Sequence, residues 1–406
     1  MKVLSEKEFL KKLCSFLHRK TPSELGDKAA EFIIGELKKL GFNPQKEIVK
    51  SAKFSDFWYV LFHFIPLLAI ALIFFWRPSL TLLLIYLIFL FSLSISWLDR
   101  PHLFSFLGRI LTGESKNVIV KIPSRGKAKK RFILSAHYDT AHQSAFLSPM
   151  IAGNLQKTLG RFAEKFPPGL RTPFFLTNIP LGFSLAFMVS QLIGIYSIWM
   201  IYLELISIFI LAVAVIFIFQ GCVSPYVPGA LDNGGGVAVL YGLARKIKDS
   251  PFNSIEVQFL FNSNEEGKNL IGMRNFLDRH GEKFDKETTF FVNIDGIGAE
   301  VLHYIIAEAD IAGIKHPDDP FLISLSELLD NYPEFRKVTP FFLTVPSDAT
   351  MIIRRGFRCL TISSSNKDGY YPHYHQLTDT FDKINMDNIY LAEKFAYELL
   401  EKVDFV

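Results

Sequence analysis

Two apolar blocks, residues 57–98 and 174–219, interrupt an otherwise charged chain and constrain its fold more than any other feature. Residues 57–76 hold only His63 and Pro66 outside the apolar set. Arg77-Pro78-Ser79 break that run, and residues 80–98 form a second, ending at Asp99-Arg100-Pro101. At about 1.5 Å per residue each run reaches across about 30 Å of hydrocarbon. Trp58, Trp76 and Trp97 lie near run ends, where amphipathic rings favour a bilayer interface. Block 174–219 carries one charged residue, Glu204; it is too long for one crossing and suits two, with a turn near 194–199. Core helices of a globular domain keep a polar stripe, and these runs show almost none. The expectation is two transmembrane hairpins, four helices in all, in a multi-pass integral membrane protein whose first partner is the lipid bilayer. Glu204 is expected near the turn, reaching the headgroups. The hairpin loops hold little charge beyond Arg77, whereas Lys46, Lys50, Lys53, Arg100, Arg109, Lys165 and Arg171 flank the other side. That asymmetry predicts a cytoplasmic polar domain.

The blocks explain why hydrophobic residues reach 50% of the 406. A net charge of +4 without a long basic run gives no expectation of nucleic acid binding. The short stretch 127–131 reads as a turn before a strand. Cys14, Cys222 and Cys359 are too few and too scattered for a disulfide framework or a cysteine-type zinc site. The first twenty residues are amphipathic and charged, unlike a signal peptide.

With the blocks set aside, an α/β pattern remains. It runs through 1–56, 99–173 and 220–406 as three parts of one domain interrupted by hairpins at 57–98 and 174–219. Residues 23–40 predict an amphipathic helix closed by Gly41. Strands are expected at 117–122, 131–135, 255–262, 289–294 and 359–363, with helices at 234–248, 270–279, 321–329 and 385–402. Such alternation predicts a mixed, mostly parallel sheet flanked by helices, with its chemistry at the carboxyl ends of the strands.

Polar clusters follow the predicted strands: His137-Tyr138-Asp139-Thr140, Gly229 to Gly236 around Asp232-Asn233, Asn264-Glu265-Glu266-Gly267, and Asp295-Gly296. A further cluster, His373-Tyr374-His375 with Asp379-Thr380, lies near the C-terminus. Each alone has a plainer reading: a structural His–Asp pair, a glycine turn feeding a helix, solvated glutamates. Together they offer imidazole and carboxylate, a donor set for zinc, cobalt or manganese. Two ions about 3.5–4 Å apart need a bridging carboxylate and outer ligands on each side. Two histidines and three carboxylates meet that need, with a further carboxylate left for a base.

These motifs, in this order, resemble the co-catalytic two-zinc aminopeptidases, a family that includes glutamate carboxypeptidase-like and glutaminyl cyclase-like members. The helix ending Glu36-Leu37-Lys38-Lys39-Leu40-Gly41-Phe42 is also similar to the family's N-terminal helix. The resemblance implies a zinc aminopeptidase-like fold and a bridging Asp232. It implies His137 and Asp295 on one ion, and Glu266 and His375 on the other. His373 competes with His375, and the spacing to Asp379-Thr380 favours the latter. Asp139 would orient His137, and Glu265 would serve as general base. The chain departs from the family at Asn233, where many members carry an acid, and in its two insertions. The expected activity is release of N-terminal residues from peptides with two divalent ions, zinc or else cobalt or manganese. A glutaminyl cyclase-like transferase is the alternative enzyme, and a non-catalytic membrane receptor or scaffold the alternative of another class. The second insertion lies close enough in sequence to the site to raise the expectation of a membrane-proximal cleft.

Overall fold

The computed structural model describes residues 2–52, 64, 67–68, 71, 112–154, 173–195, 197–266, 270–309, 315–317, 322–323, 326–327, 329, 332–343, 345–371 and 373–405. Two helices open the chain, α1 (Glu6–Leu13) and α2 (Glu24–Lys39). Ser5 and Glu8 cap α1 reciprocally, and the Ser23 hydroxyl accepts from Gly26 N–H to start α2. The strands are β1 (Gln45–Ala52), β2 (Thr112–Ile122), β3 (Lys130–His137), β4 (Ile255–Asn262), β5 (Thr289–Ile294), β6 (Val301–Ala309), β7 (Lys315–Pro317), β8 (Thr339–Leu343) and β9 (Arg358–Ser365). They form one sheet in the order β1-β2-β4-β3-β5-β9-β6-β7, with β8 also paired to β6. The centre β4-β3-β5-β9 is parallel, while β1, β2 and β6 run antiparallel to their neighbours in that order. The expected mixed, mostly parallel sheet is therefore present at the centre.

The remaining helices follow in chain order: α3 (Pro173–Leu192), α4 (Ile198–Val223), α5 (Gly235–Asp249), α6 (Ile271–His280), α7 (Asp348–Arg354) and α8 (Met386–Phe405). Strand alternation sends Phe132, Leu134 and Ala136 into a core shared with α1, α2, α5 and α8. Ile133 points the other way, into a core with Met273, Phe276 and Leu277 of α6 and Ile352 of α7. A sheet covered on both faces needs apolar residues at nearly every position, which is why 131–135 and 289–294 read as continuous runs.

The insertion at 174–219 forms two packed helices, α3 and α4, with a turn at 193–194 after α3. Proline interrupts α3 at Pro180. Its 26 residues make α4 about 39 Å long at 1.5 Å per residue. Ile198, Trp199, Tyr202, Ile206, Phe209, Ile216, Phe219 and Val223 stand exposed along it. The expected count of four crossing helices is not supported by the described residues. Among the described residues one helix, Ile198–Val223, is long and apolar enough to cross a bilayer, and the shorter apolar stretch is Pro180–Leu192. The expected hairpin at 57–98 lies almost entirely outside the described residues, as does part of the helix expected at 321–329. Glu204 is buried beside α3, where Ser184 is also buried, rather than at the turn.

Arg19 ties the N-terminal segment to the interior and is fully buried. Its Nε donates to the Tyr138 carbonyl at 2.7 Å, Nη1 to Pro228 at 2.5 Å and Nη2 to Gly229 at 2.6 Å. Its own N–H donates to Thr140 Oγ1 at 3.0 Å. Arg19→Met would strand three carbonyls, two of them buried, each worth about 1–3 kcal/mol. Chemical denaturation should show a loss of about 3 kcal/mol or more.

Candidate metal and catalytic site

Parallel pairing sets the ends of three strands side by side. His137, the last residue of β3, is in register with Asn262, the last of β4, and Ser135 with Asn293 near the end of β5. The chain leaving each strand therefore delivers His137, Glu265-Glu266 and Asp295 to one edge. Asp232 arrives from the turn that opens α5. There the Asp379 carboxylate accepts from Leu231 N–H at 2.7 Å and Asp232 N–H at 3.1 Å. Gly236 is required by close approach, since a Cβ there would lie 2.5 Å from the Ile294 carbonyl.

The Asp232 carboxylate faces a histidine on each side. Its Oδ1 lies 3.2 Å from His137 Nε2, and its Oδ2 lies 3.4 Å from His375 Nε2. Asp295 Oδ1 stands 3.4 Å from His137 Nε2, and Glu266 Oε1 stands 3.3 Å from His375 Nε2. The five residues thus separate into two groups that share Asp232. His137, Asp232, Glu265, Glu266 and Asp295 line one pocket with Gly296, Leu343, Val345, Pro346, Ser347, Tyr371 and Tyr374. Ser347 stands just before α7, and Tyr371 follows β9. His373 is turned to Thr378 instead, with Nδ1 2.9 Å from its hydroxyl.

Asp139 is buried under the site and works on a target that sequence reading missed. Its two oxygens accept the N–H groups of Glu265 and Glu266, each at 3.1 Å. His137 Nδ1 is 3.6 Å from Asp139 Oδ1. One carboxylate thus fixes the glutamate pair and faces the imidazole. In Asp139→Asn the amide NH2 would oppose one of those N–H groups. Metal affinity should fall about 10–100-fold, as expected when a partner behind the ligands is lost, and chelator competition would measure it. Asn233 also has a clear task. Its Nδ2 donates to the Ile294 carbonyl at 2.8 Å, and its Oδ1 accepts from Gly236 N–H at 3.0 Å. An acid at this position would lack the donor.

Asp139, Asp232, Glu265, Glu266, Asp295 and Asp348 gather around two imidazoles. Burial opposes charge on His137, but Glu265 and the carboxylates of Asp139, Asp232 and Asp295 raise its pKa well above the ordinary value. His375 is likewise disfavoured by burial, yet Glu266 and Asp232 push it up to about 10. Burial raises Glu265 well above the carboxylate range, with Glu266, Asp348 and Asp295 adding to the shift and His137 opposing it. Burial also carries Glu266 up to about 7. Burial acts against the Asp232 charge, but the two histidines hold its pKa below the usual range. Acids in excess of cations, converging within a few ångströms on two imidazoles, with His375 Nε2 buried and lacking a hydrogen-bond partner, fit divalent cations.

Residues 218–400 match peptidase family M28, just under half of the chain. Aminopeptidase YwaD of Bacillus subtilis (strain 168) is 36% identical over 75 residues, covering 18% of this chain and 16% of that protein. The fold is similar to the LapA aminopeptidase of Legionella pneumophila, at 12% identity and TM-score 0.52, over 98% of this chain and 71% of that one. It is also similar to Porphyromonas gingivalis glutaminyl cyclase, at 13% identity and TM-score 0.54, over 98% of this chain and 97% of that one. The resemblance carried by the motifs is borne out.

Proposed function

We propose that this chain, similar to the M28 peptidases, is a membrane-anchored metallo-aminopeptidase that releases N-terminal residues from peptides. One observation carries the reading: Asp232 presents one oxygen to His137 and the other to His375, with Asp295 and Glu266 completing two groups. His137, Asp232 and Asp295 would hold one divalent ion, and Asp232, Glu266 and His375 a second. Zinc suits this nitrogen and oxygen set, as do cobalt and manganese. When bound, two such ions polarise a carbonyl and lower the pKa of water.

The chain's own groups supply the remainder. Glu265 lines the pocket, its carboxylate within 4.8 Å of the ligand atoms of His137 and Asp295, and its role in this reading is that of base rather than ligand. Its carboxylate takes the proton of the attacking water and later delivers it to the leaving amine. Asp139 holds the Glu265 and Glu266 main chain in place. Leu343, Val345, Pro346, Tyr371 and Tyr374 shape the pocket and limit water.

The exposed apolar length of α4, paired with α3, supports a membrane anchor. The polar domain is proposed to face the cytoplasm, on the asymmetry of flanking lysines and arginines.

Similarity in fold to glutaminyl cyclases supports a second reading, and one assay separates the two. A glutaminyl peptide incubated with the full chain in detergent is analysed by mass. Loss of the whole N-terminal residue is the expected result. Loss of ammonia alone, with the peptide otherwise intact, would establish the cyclase reading instead.

A further inference from the structure

The foot of α4 is connected to the site through main-chain and side-chain hydrogen bonds. Gln220 Oε1 accepts from Ala145 N–H at 2.8 Å, and its Nε2 donates to the Gln143 carbonyl at 3.3 Å. Phe217, one turn earlier on α4, packs edge-on against Phe146 with ring centroids 5.7 Å apart. Between those anchors, Ser144 N–H donates to the carbonyl of His375 at 3.0 Å. Gln376 Nε2 returns a bond to the Ser144 carbonyl at 2.8 Å and also donates to Tyr374 at 3.2 Å. Residues 143–145 are therefore held by the helix on one side and hold the His375 loop on the other.

The loop needs such support. His375 has a φ of +52°, in the left-handed region that non-glycine residues seldom occupy. Surrounding contacts must maintain that conformation. It aims the ring toward Asp232 and Glu266, whereas its neighbour His373 faces Thr378.

We infer that Gln220 is a positioning residue for the metal site: from the apolar helix pair it fixes the 143–145 strap, which sets His375. This rests on the two-ion reading above. Only the ion held by Glu266 and His375 depends directly on the strap, so the inference predicts an asymmetric defect. The position of the helix pair is thereby transmitted to the centre.

Cobalt titration of the metal-free full chain in detergent, followed by visible absorption, tests this inference. Gln220→Met preserves side-chain length and removes both strap bonds. Gln376→Met removes the support from the opposite side. Each should bind one cobalt at wild-type affinity and a second about tenfold or more weakly, the cost typical of losing support behind a ligand. Tm should fall by no more than the small shift that losing two part-buried hydrogen bonds brings. Gln220→Glu, which keeps the acceptor for Ala145 N–H, should recover part of the affinity. Gln191→Met, near the far end of the helix pair, should bind as wild type does. Wild-type affinity for both equivalents in Gln220→Met overturns the inference. Equal weakening of both, together with a lower Tm, also overturns it, because that pattern marks general destabilisation. Wild type that takes up no cobalt overturns the two-ion reading itself.

Discussion

Glu265→Gln should abolish nearly all turnover while leaving the bound metal in place. Glutamine is nearly isosteric with glutamate but cannot accept a proton, and Glu265 belongs to neither group that shares Asp232. General acid–base catalysis contributes about 10²–10⁴-fold, equivalent to roughly 3–5 kcal/mol of barrier. A fall of that size in kcat, with KM and metal content unchanged, is the expected result. The Glu265 main chain is held through its N–H by Asp139, so the substitution leaves the local backbone anchored. If metal content fell in parallel with kcat, Glu265 would be a ligand rather than a base.

Asp232→Ala should act on a different quantity, the metal itself. Both groups depend on this carboxylate, one through each oxygen. The substitution should weaken both ions together, by at least about a hundredfold, the upper end of what loss of a mere supporting group costs. His375→Ala, in contrast, should weaken one ion. Equilibrium dialysis against zinc, with metal analysis of the retained protein, distinguishes the patterns. Two equivalents retained by Asp232→Ala would remove the bridging role.

The sheet's centre was legible in the sequence because its strands are covered on both faces and read as apolar runs. The edges were not. β1, Gln45–Ala52, carries charged and polar residues through most of its length, and β8 begins Thr339-Pro340. Neither produces a strong run, and both take their strand state from pairing with β2 or β6. α7 is only seven residues long and follows its cap Ser347, too short to give a helical period in the sequence. Similarly, the ligand-type residues were legible because imidazole and carboxylate recur at strand ends. What holds them was less so. Arg19 binds three carbonyls from two distant segments, and a carbonyl acceptor leaves no mark in a sequence. The strap at 143–145 works through main-chain groups for the same reason. Asp379 was noticed as part of a motif, but its place beneath the 231–232 turn comes from a contact across roughly a third of the chain. The apolar blocks showed the opposite limit. Their composition was conspicuous, yet composition does not count crossings, and α4 is the one helix among the described residues that is long and apolar enough to cross.

The most direct test of the account is release of the N-terminal residue from matched peptides by the full chain in detergent. One peptide has a free amino terminus, and its partner is acetylated there. Each is assayed after metal removal and again after zinc is restored. Release is expected from the free peptide alone, lost with the metal and regained with zinc. Equal cleavage of the acetylated peptide, or undiminished release without metal, would contradict it.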